Sequence, residues 1–229
     1  MITFALTFTA LGGFGQQKNK FHITIYGQDT SQSYKYTWMP KYDVDILKSM
    51  KLRYQKPKDF KEVPGTDCFD SIPKLKQIIS CAGDQLHSND EHFLAFISMR
   101  RPFTSQEINR LKELFGNGLY ENDKAHIYQI RTDIEYAYGH QAALHWRKYV
   151  SYYSPAEAKS KFNADTAICF SIKLDSAEYY KKKYRFLDAL FLEKKERSWV
   201  SFYCFYDEAG KENLSNYMKA VESVFRYED

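Results

Sequence analysis

Three alternating runs in the last third of the chain leave it few folds to choose from. Thr166 to Leu174 places Ile168, Phe170, Ile172 and Leu174 on one side and the smaller Ala167, Cys169 and Ser171 on the other. A period of two belongs to a strand, and a face of small residues lets a helix pack closely. Tyr184 to Leu192 and Trp199 to Tyr206 read as two further strands, joined by the charged turn Glu193 to Ser198. Helix signals bracket this meander. Ser154-Pro155-Ala156-Glu157 supplies a cap residue, a first-turn proline and a glutamate at the third position. Leu214, Tyr217, Met218, Val221, Val224 and Phe225 form one stripe of a helix expected from Glu208 to about Arg226.

The earlier half reads as a looser version of the same order. Asp43 to Met50 suits a short helix, and Leu52, Tyr54, Phe60 and Val63, set around Pro57 and Pro64, suit short extended pieces. His92 to Met99 is apolar on both faces, as a central strand is. Thr104-Ser105-Gln106-Glu107 opens a helix that Gly116-Asn117-Gly118 ends. Asp123 to Tyr153 admits a helix through Ile127, Ile130, Ile134 and Ala137, yet Gly139 lies inside it and its front could equally be a strand. The expected fold is α+β, an antiparallel sheet with helices packed on one side. It covers residues 16–229 as one domain, with two similar helix-meander-helix halves, 40–118 and 154–229, as a further option.

Residues 1–15 (MITFALTFTALGGFG) are uncharged, and their apolar run closes on small residues before Gln16-Gln17-Lys18. That is the form of a secretory signal peptide, and it is too short for a membrane span. No basic residue precedes the run, however, and Ile2, Phe4, Leu6 and Phe8 alternate with Thr3, Ala5, Thr7 and Thr9 as in a half-buried strand. The signal is the preferred reading, because no turn signal comes before Gly12 and a polar stretch follows. It implies a periplasmic or secreted protein; the strand implies a cytoplasmic one.

With 33 Lys and Arg against 29 Asp and Glu, the net charge of +4 lacks the clustered excess of a nucleic-acid binder. Cys68, Cys81, Cys169 and Cys204 contain no C-x-x-C pair. Cys68 and Cys81, in a turn-rich stretch, are the disulfide candidates in an exported protein. Cys169 and Cys204 read as buried thiols on the first and third strands of the meander, too far apart to bridge.

The motifs for a phosphate cradle, a dinucleotide fold, a serine elbow and a zincin are all missing. His87 and His92, like His140 and His145, are five residues apart, which on a helix turns them roughly 140° from one another and suits no shared metal. No cofactor, metal ligand or catalytic residue is therefore assigned. The densest collection of functional side chains runs from Glu135 to Tyr149, with Tyr138, His140, His145 and Trp146 as candidate ligand-binding residues. The same stretch could instead be one amphipathic packing element, and 19 Tyr and 17 Phe make any aromatic cluster a weak signal. Asp84, His87, Asp90, Glu91 and His92 read as a solvated hairpin loop.

Phe162-Asn163-Ala164-Asp165-Thr166, Ser201 to Asp207 and Phe225-Arg226-Tyr227-Glu228 make residues 154–229 similar to a group of uncharacterised exported proteins of gut anaerobes. The resemblance implies export and carries over no active residues. In element order, the final meander and helix are also similar to the PsbP/Mog1-like α/β/α sandwich, a likeness that carries no function. The leading expectation is an exported, non-enzymatic domain that binds a protein or cell-envelope component through an aromatic-rich surface, with no nucleic acid and no transmembrane segment in the mature chain. A hydrolase using Glu135 with His140 or His145, and a cytoplasmic immunity or inhibitor protein, are the alternatives.

Overall fold

A computed structural model describes residues 3–5, 24–26, 47–63, 84–100, 105–106, 109, 125–179 and 182–229. The chain divides into two units, Met1–Thr37 and Trp38–Asp229. In the first, strand β1 (Thr3–Ala5) pairs antiparallel with β2 (Thr24–Tyr26), Phe4 facing Ile25.

The second unit is built from β3 (Leu52–Tyr54), β4 (Phe60–Val63), β5 (Asp84–Ser88), β6 (Phe93–Arg100), β7 (Ser151–Tyr152), β8 (Thr166–Tyr179), β9 (Lys182–Lys194), β10 (Ser198–Tyr206) and β11 (Phe225–Tyr227). Seven of these form an antiparallel sheet in the order β4, β5, β6, β10, β9, β8, β7, and β11 pairs with β3 in a second, two-stranded sheet. The expected meander is present as β8, β9 and β10. Its first two strands run longer than the alternation suggests, with a register shift between Lys173 and Ala177. The strand read as central, β6, lies between β5 and β10, Phe93 facing Tyr206 and Arg100 facing Trp199.

The helices whose bounds lie among the described residues are α1 (Ala125–Tyr138), α2 (His140–Leu144), α3 (Pro155–Phe162), α4 (Glu208–Glu212) and α5 (Leu214–Glu222). The ambiguous stretch after Asp123 is thus helical from Ala125 to Leu144 apart from Gly139, and it ends in β7. Ser154 caps α3 as its sequence predicts: its Oγ accepts from Glu157 N at 3.2 Å while Glu157 Oε2 accepts from Ser154 N at 2.9 Å. Such a box satisfies donors at both ends. Asn163 ends the helix in the left-handed region (φ 52°), and its Nδ2 donates to the Tyr227 carbonyl at 2.9 Å.

One face of the large sheet, with Ala95, Leu190, Val200 and Phe202, packs against Phe162 of α3, Val221 of α5 and Phe225 of β11. The opposite face, with Phe96, Phe170, Phe191 and Tyr203, packs against Ile130 and Ile134 of α1 and Ala142 of α2. The α+β class and antiparallel sheet are as expected, but helices cover both faces rather than one. The cause lies in β10, whose nine residues are all buried. A sheet covered on one side would leave Trp199, Tyr203 and Phe205 in water, each forfeiting about 2 kcal/mol of burial.

A second correction concerns the carboxyl end. The single helix expected there is two, α4 and α5, separated at Asn213, and its last apolar residues leave the helix, Phe225 opening β11. Val224 and Phe225 are adjacent, and adjacent apolar residues fit the edge of a helical stripe or the start of a strand equally well.

Residues 105, 106 and 109 are helical, and the rest of that expected helix lies outside the described residues, as do Cys68 and Cys81 and most of the proposed half 40–118. Cys169 is half-buried and Cys204 buried; both are free, with β9 between their strands. Among the described residues no helix is long and apolar enough to cross a membrane.

Candidate functional site

The candidate residues lie where α1, α2 and β7 run along the outer edge of the large sheet. Gly139 breaks the helix with φ 88°, a conformation in which a side chain is strained. Its N–H still closes α1 on the Glu135 carbonyl at 2.7 Å, and its own carbonyl accepts from Ala142 N at 3.0 Å to start α2. Ala142, Ala143 and Trp146 then anchor the segment in the core.

β7 covers little of β8. Ser151 faces Cys169, Tyr152 faces Ile168, and Tyr153 N donates to the Ala167 carbonyl at 3.0 Å. Continued by two more pairs, this register would set Tyr149 opposite Ser171. Instead the chain leaves the sheet as a 3-10 turn (Trp146–Lys148). The Tyr149 ring stacks on Tyr138 with centroids 5.0 Å apart, and the Tyr138 hydroxyl donates to the Ser171 carbonyl at 2.9 Å. A side chain thus takes the edge position a backbone N–H would have held. Partial burial, then the neighbouring Tyr149, hold the Tyr138 phenol above its ordinary pKa.

Of the four candidate residues, Tyr138, His140 and His145 are exposed and Trp146 is buried. His140 Nδ1 lies 2.9 Å from Glu135 Oε1, so the proposed acid and base do meet. Their side chains are 69% and 50% exposed, which leaves the pair in water rather than in an enclosed pocket. His145 sits at the junction of α2 and the 3-10 turn. The residues of the expected hairpin loop form a built corner: the Asp90 carboxylate accepts from Ser88 Oγ at 2.6 Å and from the Tyr217 hydroxyl, and His92 Nδ1 is 2.9 Å from Asp207 Oδ2.

Beneath α1 lies a buried polar group that the residue pattern does not reveal. Asp133 is wholly buried; its Oδ1 accepts from Gln129 Nε2 at 2.8 Å and its Oδ2 lies 2.7 Å from the Tyr203 hydroxyl. Burial drives this carboxyl well above the usual range, beyond what those two hydrogen bonds recover.

Next to Trp146 a groove of about 380 Å³ opens between α1, the 3-10 turn and the β9–β10 turn, its walls including His126, Arg147, Tyr152, Glu193 and Lys195. His126 Nε2 is 3.5 Å from Glu193 Oε2, and both side chains are largely covered. Reading the sequence missed His126, Glu193 and Lys195, which come from elements nearly 70 residues apart and show no common spacing. The one signal was their neighbour Trp146. Among the described residues no group of three or more His, Cys, Asp and Glu could hold a metal ion.

No family model and no curated protein matches the chain. The solved structures include one similar to it, the solution structure of cyanobacterial PsbP (CyanoP) from Synechocystis sp. PCC 6803, at 6% identity and a TM-score of 0.35, covering 78% of this chain and 88% of that one. A likeness at this level carries no argument, and the reading of the site rests on the chain's own residues.

Proposed function

We propose that the protein is a non-catalytic binding domain that engages a protein or cell-envelope component through the surface of α1, α2 and β7. One observation carries the reading. The large apolar or aromatic side chains left exposed among the described residues are Tyr128, Tyr136, Tyr138, Leu144, Tyr149 and Tyr152, all from one stretch of 25 positions. Both faces of the sheet are otherwise covered; Tyr138 and Tyr149 stack on one another and Tyr138 bonds the sheet edge, yet each of the six still turns more than a third of its surface to water. Tyrosines offer apolar area with a hydrogen-bonding tip at small entropic cost, and exposed clusters of them favour recognition.

The uncharged apolar residues 1–15 and the resemblance to exported proteins support a periplasmic or secreted location. A second reading, a cytoplasmic protein of the immunity or inhibitor kind, is favoured by the pairing of Thr3–Ala5 with Thr24–Tyr26. Both readings use the same surface.

The test places a photo-crosslinking phenylalanine at Tyr149 and, as a control, at the exposed Lys219 of α5, in the full chain expressed in its native type of host. A discrete adduct from Tyr149 alone is expected. Equal yields at both sites, or none at Tyr149, would overturn the assignment. The intact mass of the same protein separates the locations, since a chain beginning near Gln16 in the envelope fraction means export and an intact Met1 in the cytoplasm means the second reading.

A further inference from the structure

We propose that the groove beside Trp146 is a binding site for a carboxylate attached to a flat apolar group. The inference rests on reading this corner of the molecule as a binding surface, and names what one part of it takes. The guanidinium carbon of Arg147 lies 5.1 Å from the centroid of the Trp146 ring. A guanidinium held on an aromatic face keeps its N–H fork free, and that fork matches a carboxylate bidentately. Arg147 is exposed and, like Lys195, has no carboxylate within ion-pair distance among the described residues.

The lining sets the cations Arg147 and Lys195 against the carboxylates Glu193 and Glu196, with the His126 ring 3.5 Å from Glu193, and of these charges the Arg147 fork is the one held on an aromatic wall. The remaining walls suit a flat body: Trp146, Ile127, Ile168 and Tyr152 supply aromatic and branched surface. A volume of about 380 Å³ is at the lower end of what small-ligand sites occupy, which are roughly 300 to 1,000 Å³. It fits a one- or two-ring acid, or the carboxyl-terminal aromatic residue of a peptide, and the two sources share the chemistry.

The experiment is calorimetric titration of the full chain with indole-3-acetate, its uncharged amide, and a glycine-rich pentapeptide ending in phenylalanine with a free carboxylate. The acid or the peptide binds at least about tenfold more tightly than the amide, and Arg147→Ala removes that advantage while Arg147→Lys keeps part of it, since lysine restores charge without the fork. A tighter free acid identifies a small molecule as the source, a tighter peptide a protein end. Acid and amide of equal affinity, no binding of either carboxylate up to about 5 mM, or an Arg147→Ala variant that binds as the parent does would each overturn the proposal. Failure here with the Tyr149 cross-link intact removes the carboxylate site alone, whereas loss of the cross-link with the titration intact removes the wider surface.

Discussion

Tyr138 and Tyr149 act together at the edge of the sheet, one ring lying on the other at 5.0 Å while the Tyr138 hydroxyl holds the carbonyl of Ser171. The stack fixes the direction in which the hydroxyl points, and the hydroxyl satisfies one carbonyl of β8 just past the part that β7 covers. Tyr138→Phe leaves the stack and returns Ser171 to water, so its cost is small, about 0.5 kcal/mol. Tyr138→Ala removes both and costs about 1 kcal/mol or more. Urea denaturation of the two variants checks this; equal costs would mean that the stack contributes nothing.

Asp133 makes stability depend on pH in a stated direction. Its carboxyl holds a proton in the folded protein at pH values where the unfolded chain has lost it, because burial disfavours the charge. Its contribution is therefore complete below the ordinary carboxylate pKa and is lost as pH rises through the raised, folded value. Asp133→Asn keeps the polar group and removes the titration. Relative to the parent, the variant gains stability as pH rises from the ordinary carboxylate range toward the raised, folded value. Denaturation midpoints of both proteins across that range test it, and a difference that stays constant would show that Asp133 does not titrate there.

Gly210 is required for space. A Cβ at this position would lie 2.4 Å from the carbonyl oxygen of His92 and 3.1 Å from the Tyr206 Cβ, and backbone cannot swing aside as a long side chain can. Gly210→Ala forces α4 away from the β5–β6 turn and costs about 2 kcal/mol, visible as a lower melting temperature. An unchanged melting temperature would mean that α4 shifts freely.

The two described thiols differ in reactivity. Cys204 is fully buried, and burial, then Asp188, holds its thiol well above the ordinary value; Cys169 is half-buried and is raised by burial, then by Asp188 and Glu222. Iodoacetamide at about pH 8 labels Cys169 slowly in the native protein and Cys204 after unfolding, as peptide mapping will show. Prompt native labelling of Cys204 would contradict its place in the core.

The parts of the fold that reveal themselves in the sequence are those with strong local periods. The alternation of Thr166 to Leu174 and the Ser154 capping box each depend on neighbours a few residues away, and each reappears in place. Helices on the second face are harder to foresee, because Ile130 and Ile134 show that α1 has an apolar stripe but not which face of which sheet receives it. The site divides in the same way. The aromatic cluster from Tyr138 to Trp146 is contiguous and stands out, whereas the partnership of Asp133 with Tyr203 and the meeting of His126 with Glu193 join residues about 70 positions apart, and no local pattern encodes them.

The pairing of β6 with β10 sets an order on the molecule's assembly. These two strands lie side by side at the middle of the sheet, yet about a hundred residues separate them along the chain, so closing that contact has a large entropic cost and is slow. During synthesis, β6 emerges with one flank unpaired and waits there until nearly the whole chain has been made. A ribosome stalled before Ser198 would therefore hold a hairpin with a sticky apolar edge, which a chaperone would recognise as unfinished.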